Sequence, residues 1–216
     1  MIASRIQQLQ SEIPAGVKLV AVSKFKPAAA IREAYGAGQR DFGENYVQEM
    51  VSKSEELPAD IRWHFIGHLQ TNKVRYIAPF VHLVHSVDSL KLLKEIHKQA
   101  ANNNRVIDCL LQIHIAQEET KSGLSGDEFL ALLADPALVG LNHVRITGVM
   151  GMSTFTDDPE VVRSEFRELK RIFEAGKRLL PGMQEISMGM SGDWPLAVEE
   201  GSTMVRIGST IFGARN

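Results

Sequence analysis

Short apolar runs alternate with helical patterns along this chain, and the alternation restricts the fold more than any other feature of the sequence. The runs are almost continuously apolar, which is typical of parallel strands that are buried on both faces. Eight runs have the length and content of strands, and we predict strands over 17–22, 41–43, 62–67, 81–85, 106–115, 144–150, 185–188 and 204–207.

Helical patterns fill the segments between these runs. Their apolar residues recur every three or four positions, as on one face of an amphipathic helix. We predict helices over 28–37, 47–57, 72–78, 89–101, 127–133, 159–180 and 194–200. Before the first run, Ile2, Ile6, Leu9 and Ile13 form one apolar stripe and predict an extra N-terminal helix.

Two architectures share this alternation: the (β/α)8 barrel and the doubly wound open sheet. For 216 residues, 216/8 is 27 residues per unit, near the small end of the range for such barrels. No linker or low-complexity tract divides the chain. We therefore predict a single α/β domain over residues 1–216, and we favour a TIM barrel over the open sheet.

Charge and composition argue against several classes of protein. The chain has 24 basic and 26 acidic residues and a net charge of -2, without the basic excess of nucleic-acid binders. No apolar run reaches membrane-spanning length, and the first residues lack a signal-peptide pattern. We therefore expect a cytoplasmic protein that binds neither nucleic acid nor membrane. The seven histidines show no His-Glu-x-x-His pattern, so no metal site is predicted.

Lys24 comes directly after the first buried run, at the strand end where parallel barrels carry functional groups. Desolvation and the nearby cation of Lys26 both favour a neutral amine. A neutral amine can attack an aldehyde and form a Schiff base. The alternative interpretation is a lysine that extends from the strand end into solvent.

The last two strands lead into turns that are rich in glycine and serine. Ser191 lies between Gly189 and Gly192, and Gly208 precedes Ser209. Backbone N–H groups in such turns can bind a phosphate, and barrels often bind phosphate after strands seven and eight. The alternative is that these glycines only permit tight turns.

Arg206 lies within the otherwise apolar last strand. An arginine that faces the inside of a barrel needs an acceptor for its N–H groups. From the residues alone, a structural carboxylate and a bound ligand are both candidates for that acceptor.

Several longer motifs occur in a fixed order along the chain. They are AVSKFKP at 21–27, FGENYVQE at 42–49, WHFIGHLQ at 63–70, Asn72-Lys73, SMGMSGD at 187–193 and GSTMVRIG at 201–208. Together they resemble the motifs of the pyridoxal-phosphate homeostasis protein family, over essentially the whole chain. Phe25 is a departure, because members of that family often have Thr at this position.

The resemblance implies a fold-type III barrel similar to the N-terminal domain of alanine racemase. It implies that Lys24 holds pyridoxal 5′-phosphate as an internal aldimine and that Arg206 faces the pyridine nitrogen. Asn45 matches a family position near the cofactor. The phosphate-contacting positions of the family correspond here to Ser191, Gly208 and Ser209. No catalytic residue is implied.

The function implied by the resemblance is to bind pyridoxal phosphate and to buffer or deliver it, in vitamin B6 and amino-acid homeostasis. We expect a monomer with little catalysis of its own and with cofactor-dependent apoenzymes as transient partners. A guanidinium at the pyridine nitrogen would disfavour protonation of the ring and weaken it as an electron sink. In the related racemase, the second base is a tyrosine from a separate C-terminal domain of the partner subunit. We expect no such domain here, since the chain ends shortly after the last predicted strand.

Two enzymatic alternatives remain open. One is a small amino-acid racemase that uses pyridoxal phosphate. The other is a cofactor-free aldolase on the same barrel, in which Lys24 attacks the substrate carbonyl directly.

Overall fold

The computed structural model describes residues 1–118 and 120–213 and contains a closed barrel of eight parallel strands. Each strand pairs with the next along the chain, and β8 pairs with β1 to close the barrel. The predicted TIM barrel is therefore confirmed, and the open sheet is excluded. The strands are β1 Lys18–Val22, β2 Asp41–Glu44, β3 Arg62–Phe65, β4 Leu83–Val87, β5 Ile107–Ile113, β6 Val144–Gly151, β7 Glu185–Ser187 and β8 Met204–Ile207.

The helices surround this barrel, and the extra N-terminal helix is confirmed. They are α1 Ile2–Glu12, α2 Ala28–Gly36, α3 Val47–Glu56, α4 Val74–Ile77, α5 Leu90–Asn102, α6 Gly126–Leu133, α7 Pro159–Leu179, α8 Trp194–Glu199 and α9 Ser209–Phe212. Short 3-10 helices cover Thr71–Lys73 and Pro136–Gly140. None of the helices in the described residues is both long enough and apolar enough to span a bilayer.

The apolar core has two parts because successive strand residues point to opposite faces of the sheet. The outward residues pack against the helices; the stripe on α7 contains Val162, Phe166, Leu169 and Phe173, all buried. A second, smaller cluster fills the inside of the barrel and consists of Val20, Leu83, Leu110, Met150 and Met204. The inside of the barrel is thus a packed core. A ligand would bind at the mouth of the barrel, which is the end where the carboxyl ends of the strands meet.

Side-chain caps explain where several helices begin. Ser89, Ser125 and Asp158 each accept a hydrogen bond from a backbone N–H in the first turn of α5, α6 and α7, respectively. In α6 the cap is reciprocal, because Glu128 also accepts from the backbone N–H of Ser125. Each such cap stabilises its helix by roughly 0.5–2 kcal/mol.

Several predicted bounds differ from the structure. The strand predicted over 62–67 ends at Phe65, the strand over 106–115 spans Ile107–Ile113, and the helix over 72–78 is a 3-10 helix followed by α4. The fourth strand was predicted over 81–85 but starts at Leu83, because the N–H of Val81 donates to the carbonyl of Ile77 (2.8 Å) and so belongs to the end of α4. The turn predicted at Gly208 and Ser209 leads into a short helix, α9, with Gly208 as its N-cap. Short elements of this kind have weak periodicity, so tertiary packing decides them.

Candidate functional site

The six predicted cofactor-contacting residues all lie at the carboxyl end of the barrel. Lys24 follows β1, Asn45 follows β2, and Ser191 lies in the loop after β7. Arg206 is on β8, and Gly208 and Ser209 follow it. Since β8, β1 and β2 are neighbours in the sheet, five of the six come from three adjacent strands.

Ser191 and Gly208 are brought into direct contact. The backbone N–H of Gly208 donates to Ser191 Oγ at 3.3 Å. A Cβ on Gly208 would lie 3.2 Å from the carbonyl oxygen of Val22, two residues before Lys24. The glycine therefore permits a close approach between the ends of β8 and β1, beside the loop after β7.

The loop that carries Ser191 is fixed by Asp193. One carboxylate oxygen accepts from the N–H of Met190 at 2.5 Å, and the other accepts from Ser153 Oγ at 2.8 Å. Lys121 in turn donates to the carbonyl of Ser153 at 2.6 Å. The loops after β5, β6 and β7 are thereby connected, which positions Ser191 at the mouth.

A buried polar cluster anchors the backbone next to Lys24. Lys53 of α3 donates to the carbonyl of Ser23 (2.8 Å), to Glu44 Oε1 (2.7 Å) and to Glu49 Oε1 (2.6 Å). Ser23 Oγ also donates to Glu44 Oε1, at 2.5 Å. Burial raises the pKa of Glu44, and this effect outweighs the lowering caused by the Lys53 ammonium.

The residue after Lys24 has an uncommon backbone conformation. Phe25 has a φ of 63°, in the left-handed region that disfavours a side chain, and its N–H donates to Glu49 Oε1 at 2.6 Å. Its ring lies 5.2 Å from that of Tyr46, centroid to centroid, and both rings are largely exposed. Backbone strain of this kind is typical of functional sites held by their surroundings.

Asn45 is half-buried, and its Oδ1 atom is buried without a hydrogen-bond partner among the described residues. The loop after β3 approaches its backbone, because a Cβ on Gly67 would overlap the carbonyl of Asn45. A buried acceptor without a partner is costly, so Asn45 Oδ1 requires a donor from a water molecule or a ligand.

Arg206 is almost fully buried, at 4% exposure. Its Nη1 donates to Ser187 Oγ at 2.6 Å and its Nη2 to the carbonyl of Gly151 at 3.0 Å. No carboxylate among the described residues lies within ion-pair distance of it, and the charge of Asp193 acts on it only from farther away. Burial lowers the pKa of its guanidinium to about 10, which leaves the group charged at neutral pH.

Behind Arg206, a row of polar side chains crosses the inside of the barrel. Ser187 Oγ lies 3.0 Å from His85 Nδ1, His85 Nε2 lies 2.9 Å from His64 Nδ1, and His64 Nε2 lies 2.9 Å from Asp41 Oδ1. These four residues and Arg206 are all buried. The sequence analysis missed this row. Part of its signal was available, since His64 and His85 interrupt apolar strand residues, whereas Asp41 and Ser187 stand at the ends of their strands.

Asp41 and His64 also approach His82, and their potential ligand atoms lie within 4.8 Å of one another. This group does not suit a dication, because Arg62 already donates to both carboxylate oxygens of Asp41, at 2.8 and 2.5 Å. His64 Nε2 is also directed at Asp41. The cluster is therefore an ion pair extended by a histidine.

Two cavities lie elsewhere on the barrel. One of about 380 Å³ is lined by His68, Gln70 and Asp88, beside the loops after β3 and β4. The other, of about 290 Å³, is lined by Gln39 and Arg62 at the opposite end of the barrel. Neither cavity is lined by any of the six predicted residues, and the opposite end of such barrels usually serves stability.

The donor and acceptor groups at the mouth fit the predicted cofactor. Lys24 provides a primary amine, and the Ser191–Gly208 contact provides a hydroxyl and a backbone N–H of the kind that bind phosphate. Arg206 provides further N–H donors for a ring nitrogen. Asn45 Oδ1 provides an acceptor whose partner is missing from the described residues.

Comparisons with known proteins point to one family. The sequence profile described as alanine racemase, N-terminal domain, matches residues 1–216. The pyridoxal phosphate homeostasis protein of Haemophilus influenzae is 43% identical over 205 residues, which are 93% of this chain and 86% of that protein. The protein of the same name from Aquifex aeolicus is 42% identical over 200 residues, covering 92% and 87% of the two chains.

Solved structures with similar folds point to the same family. The structure of PipY from Synechococcus elongatus with pyridoxal phosphate bound has a TM-score of 0.90 at 39% identity, and covers 99% of this chain and 100% of that one. Alanine racemase from Clostridium difficile has a TM-score of 0.79 at 12% identity, and covers 99% of this chain and 56% of that one. At that identity the racemase supports the fold alone.

Proposed function

This chain belongs to the alanine racemase N-terminal domain family and, within it, to the pyridoxal phosphate homeostasis proteins, and from that membership we propose that it binds pyridoxal 5′-phosphate at Lys24. The PipY structure, whose chain is 39% identical to this one, contains the cofactor. The protein has a homeostasis role, in which it buffers or delivers the cofactor.

One observation supports this site most directly. The amine of Lys24, the hydroxyl and N–H of the Ser191–Gly208 contact, and the buried guanidinium of Arg206 occur together at one end of the barrel. An aldehyde, a phosphate and a ring nitrogen are the groups that these three would recognise.

Each residue has a separate role in this proposal. When bound, pyridoxal phosphate supplies an aldehyde that condenses reversibly with a primary amine and releases water. Lys24 provides that amine. Ser191, Gly208 and the exposed Ser209 donate to the phosphate, Arg206 donates an N–H to the ring nitrogen, and Asn45 Oδ1 accepts from the ligand or its water.

Arg206 favours a carrier over a racemase. Its pKa of about 10 keeps it protonated near neutral pH, so it donates to an unprotonated ring nitrogen rather than accepting from a protonated one. An unprotonated ring withdraws electrons weakly, and removal of a substrate α-proton then stays slow.

Borohydride trapping tests the site. In wild type we expect one dominant reduced adduct at Lys24 in a peptide mass map, and we expect it to be lost in Lys24→Ala. Lys26→Ala is the matched control, because it removes a neighbouring amine and should leave the adduct in place. An adduct that persists at one dominant site in Lys24→Ala would contradict the assignment.

Activity assays distinguish the two enzymatic alternatives, the racemase and the cofactor-free aldolase, from the carrier. Loaded wild-type protein that turns over L-alanine to D-alanine with a kcat of about 1–1000 per second would indicate a racemase. We expect only slow exchange of the α-proton in deuterated water. A protein that lacks the near-visible absorbance of the bound cofactor, yet cleaves an aldol substrate, would indicate the cofactor-free aldolase.

Delivery completes the proposal. The protein acts as a cytoplasmic monomer that passes the cofactor to apoenzymes in transient contacts. Mixing the loaded protein with an apoenzyme tests this. The activity of the apoenzyme should return faster than spontaneous dissociation of the cofactor from the loaded protein can explain. Reactivation at the rate set by dissociation alone would indicate a buffer without directed delivery.

A further inference from the structure

The polar row inside the barrel has a defined direction. At one end, Asp41 accepts two hydrogen bonds from the Arg62 guanidinium. Burial alone would raise the pKa of Asp41, but the hydrogen bonds and the attraction of Arg62 and His64 together outweigh burial, so this pKa lies well below its usual range. The carboxylate is therefore ionised and can only accept. At the other end, Arg206 can only donate.

These two end groups fix which atom donates and which atom accepts in every hydrogen bond between them. His64 Nε2 must carry a proton to donate to Asp41, so a neutral His64 accepts at Nδ1. His85 Nε2 must then donate to His64, which leaves His85 Nδ1 as an acceptor. The hydroxyl proton of Ser187 points to His85, and Ser187 Oγ receives the N–H of Arg206 on a lone pair.

Both histidines are neutral in this arrangement. Burial lowers the pKa of His64, and the attraction of Asp41 offsets this only in part. Burial lowers the pKa of His85 further, and the nearby charge of Arg206 acts in the same direction. Neutral imidazoles are what the row requires, because a doubly protonated ring has no acceptor nitrogen for the next donor.

We propose that Asp41, His64, His85 and Ser187 form a directed hydrogen-bond relay whose function is to position Arg206 toward the ring nitrogen of the cofactor. The inference rests on the proposed function, because it concerns the same ring nitrogen. Ser187 and the two histidines are positioning residues, since they act on the ligand only through Arg206.

The geometry explains why a relay is needed. Arg206 is buried and has no carboxylate within ion-pair distance among the described residues, so its orientation depends on Ser187 Oγ and the carbonyl of Gly151. A serine hydroxyl alone rotates freely between donor and acceptor roles. His85 Nδ1 removes that freedom by accepting a hydrogen bond from the hydroxyl, so that Ser187 Oγ always presents a lone pair to Arg206.

The relay can be tested in the ligand-free protein by NMR of the imidazole nitrogens. Both rings should be neutral Nε2–H tautomers, and a coupling across the hydrogen bond should join His85 Nε2 to His64 Nδ1. The signals are assigned with His85→Gln, which should remove the coupling. A proton on Nδ1 of either ring, or a folded-state titration of either ring near pH 6.5, would overturn the relay.

Cofactor binding tests the link to Arg206. Ser187→Ala removes the relay hydroxyl. Ser86→Ala is its matched control, because Ser86 follows His85 on β4 and its Oγ is buried without a hydrogen-bond partner among the described residues. We expect the Kd of pyridoxal phosphate to rise about tenfold or more in Ser187→Ala relative to Ser86→Ala, as for the loss of one hydrogen bond to a charged group. The shift of the ¹⁵N-labelled ring nitrogen should change only in Ser187→Ala.

The outcomes distinguish the positioning role of the relay from cofactor binding itself. Equal Kd values and equal ring-nitrogen shifts in the two serine variants would overturn the positioning role while leaving the cofactor site intact. Wild-type protein that fails to bind pyridoxal phosphate would instead overturn the proposed function. If Ser187→Ala does not fold, the tautomers and the coupling in wild type still decide the relay.

Discussion

At the scale of single residues, Gly208 limits what the mouth can tolerate. Its backbone N–H already contacts Ser191 Oγ, and a Cβ would lie 3.2 Å from the Val22 carbonyl oxygen and 3.3 Å from Val22 Cβ. Both atoms belong to β1, whose end carries Lys24. An added methyl group therefore has to displace either β1 or α9.

We expect Gly208→Ala to weaken pyridoxal phosphate binding, because the displacement changes the distance between the phosphate donors and Lys24. Titration of the near-visible absorbance measures the Kd. Gly192→Ala is the control, since a Cβ there meets no atom within 4 Å. If both variants bind as wild type does, close approach at Gly208 is not required for the site.

The phosphate contacts give a second prediction at this scale. Pyridoxal without phosphate should bind more weakly than pyridoxal phosphate, because it loses the charge-assisted hydrogen bonds from Ser191, Gly208 and Ser209. Ser191→Ala should reduce the difference between the two ligands. Equal affinities for pyridoxal and its phosphate in wild type would place the anion contacts elsewhere.

At the scale of elements, α3 connects the ends of β1 and β2 through Lys53. The Lys53 side chain is 8% exposed, and its ammonium pairs with Glu44, whose side chain is fully buried, and with Glu49, whose side chain is 22% exposed. It also supports the Ser23 carbonyl next to Lys24. Removal of one partner from such a buried pair leaves an uncompensated charge.

We expect Lys53→Met to lower the free energy of unfolding by about 3 kcal/mol or more. The double variant Lys53→Met with Glu44→Gln should recover part of that loss, because the remaining side chain is neutral. Urea denaturation measures both values. Lys170→Met, which breaks the exposed Lys170–Glu174 pair on α7, should have little effect. A similarly small effect of Lys53→Met would show that the cluster adds nothing to stability.

At the scale of the whole molecule, the buried histidines couple stability to pH. The folded-state pKa values of His64 and His85 are lowered from 6.5, so the unfolded chain binds more protons below pH 6.5. Their contribution is complete above pH 6.5 and is lost as the pH falls. Glu44 has the opposite sign, because its raised pKa removes stability as the pH rises above 4.5.

We expect the free energy of unfolding to fall between pH 7 and pH 5, by up to ~1.4 kcal/mol per pH unit for each histidine. His85→Gln should reduce that slope. Because both proteins contain Glu44, its contribution cancels when the slopes of variant and wild type are subtracted. Parallel pH profiles for wild type and His85→Gln would contradict the neutral state of His85.

Strand positions were predictable because the strands are local apolar runs. All eight predicted strands exist in the predicted order, with ends that move by at most a few residues, as in β4. The number of units only favoured a closed barrel over an open sheet, and the pairing of β8 with β1 decides it. The short α9 was not predictable, since four residues carry no helical period and its start at Gly208 depends on the end of β8.

By itself, the sequence determined the eight strands, their order and the strand ends that carry Lys24, Asn45, Ser191 and Gly208, because these depend on patterns a few residues long. Only the tertiary structure decided the partners of Arg206. The sequence left a carboxylate and a ligand as candidates, whereas the protein acceptors are a hydroxyl on β7 and a carbonyl on β6. The same holds for the row from Ser187 to Asp41, whose members lie on β7, β4, β3 and β2 and meet only when the barrel closes. Hydrogen bonds between side chains on different strands depend on register and direction, and one strand's sequence contains neither.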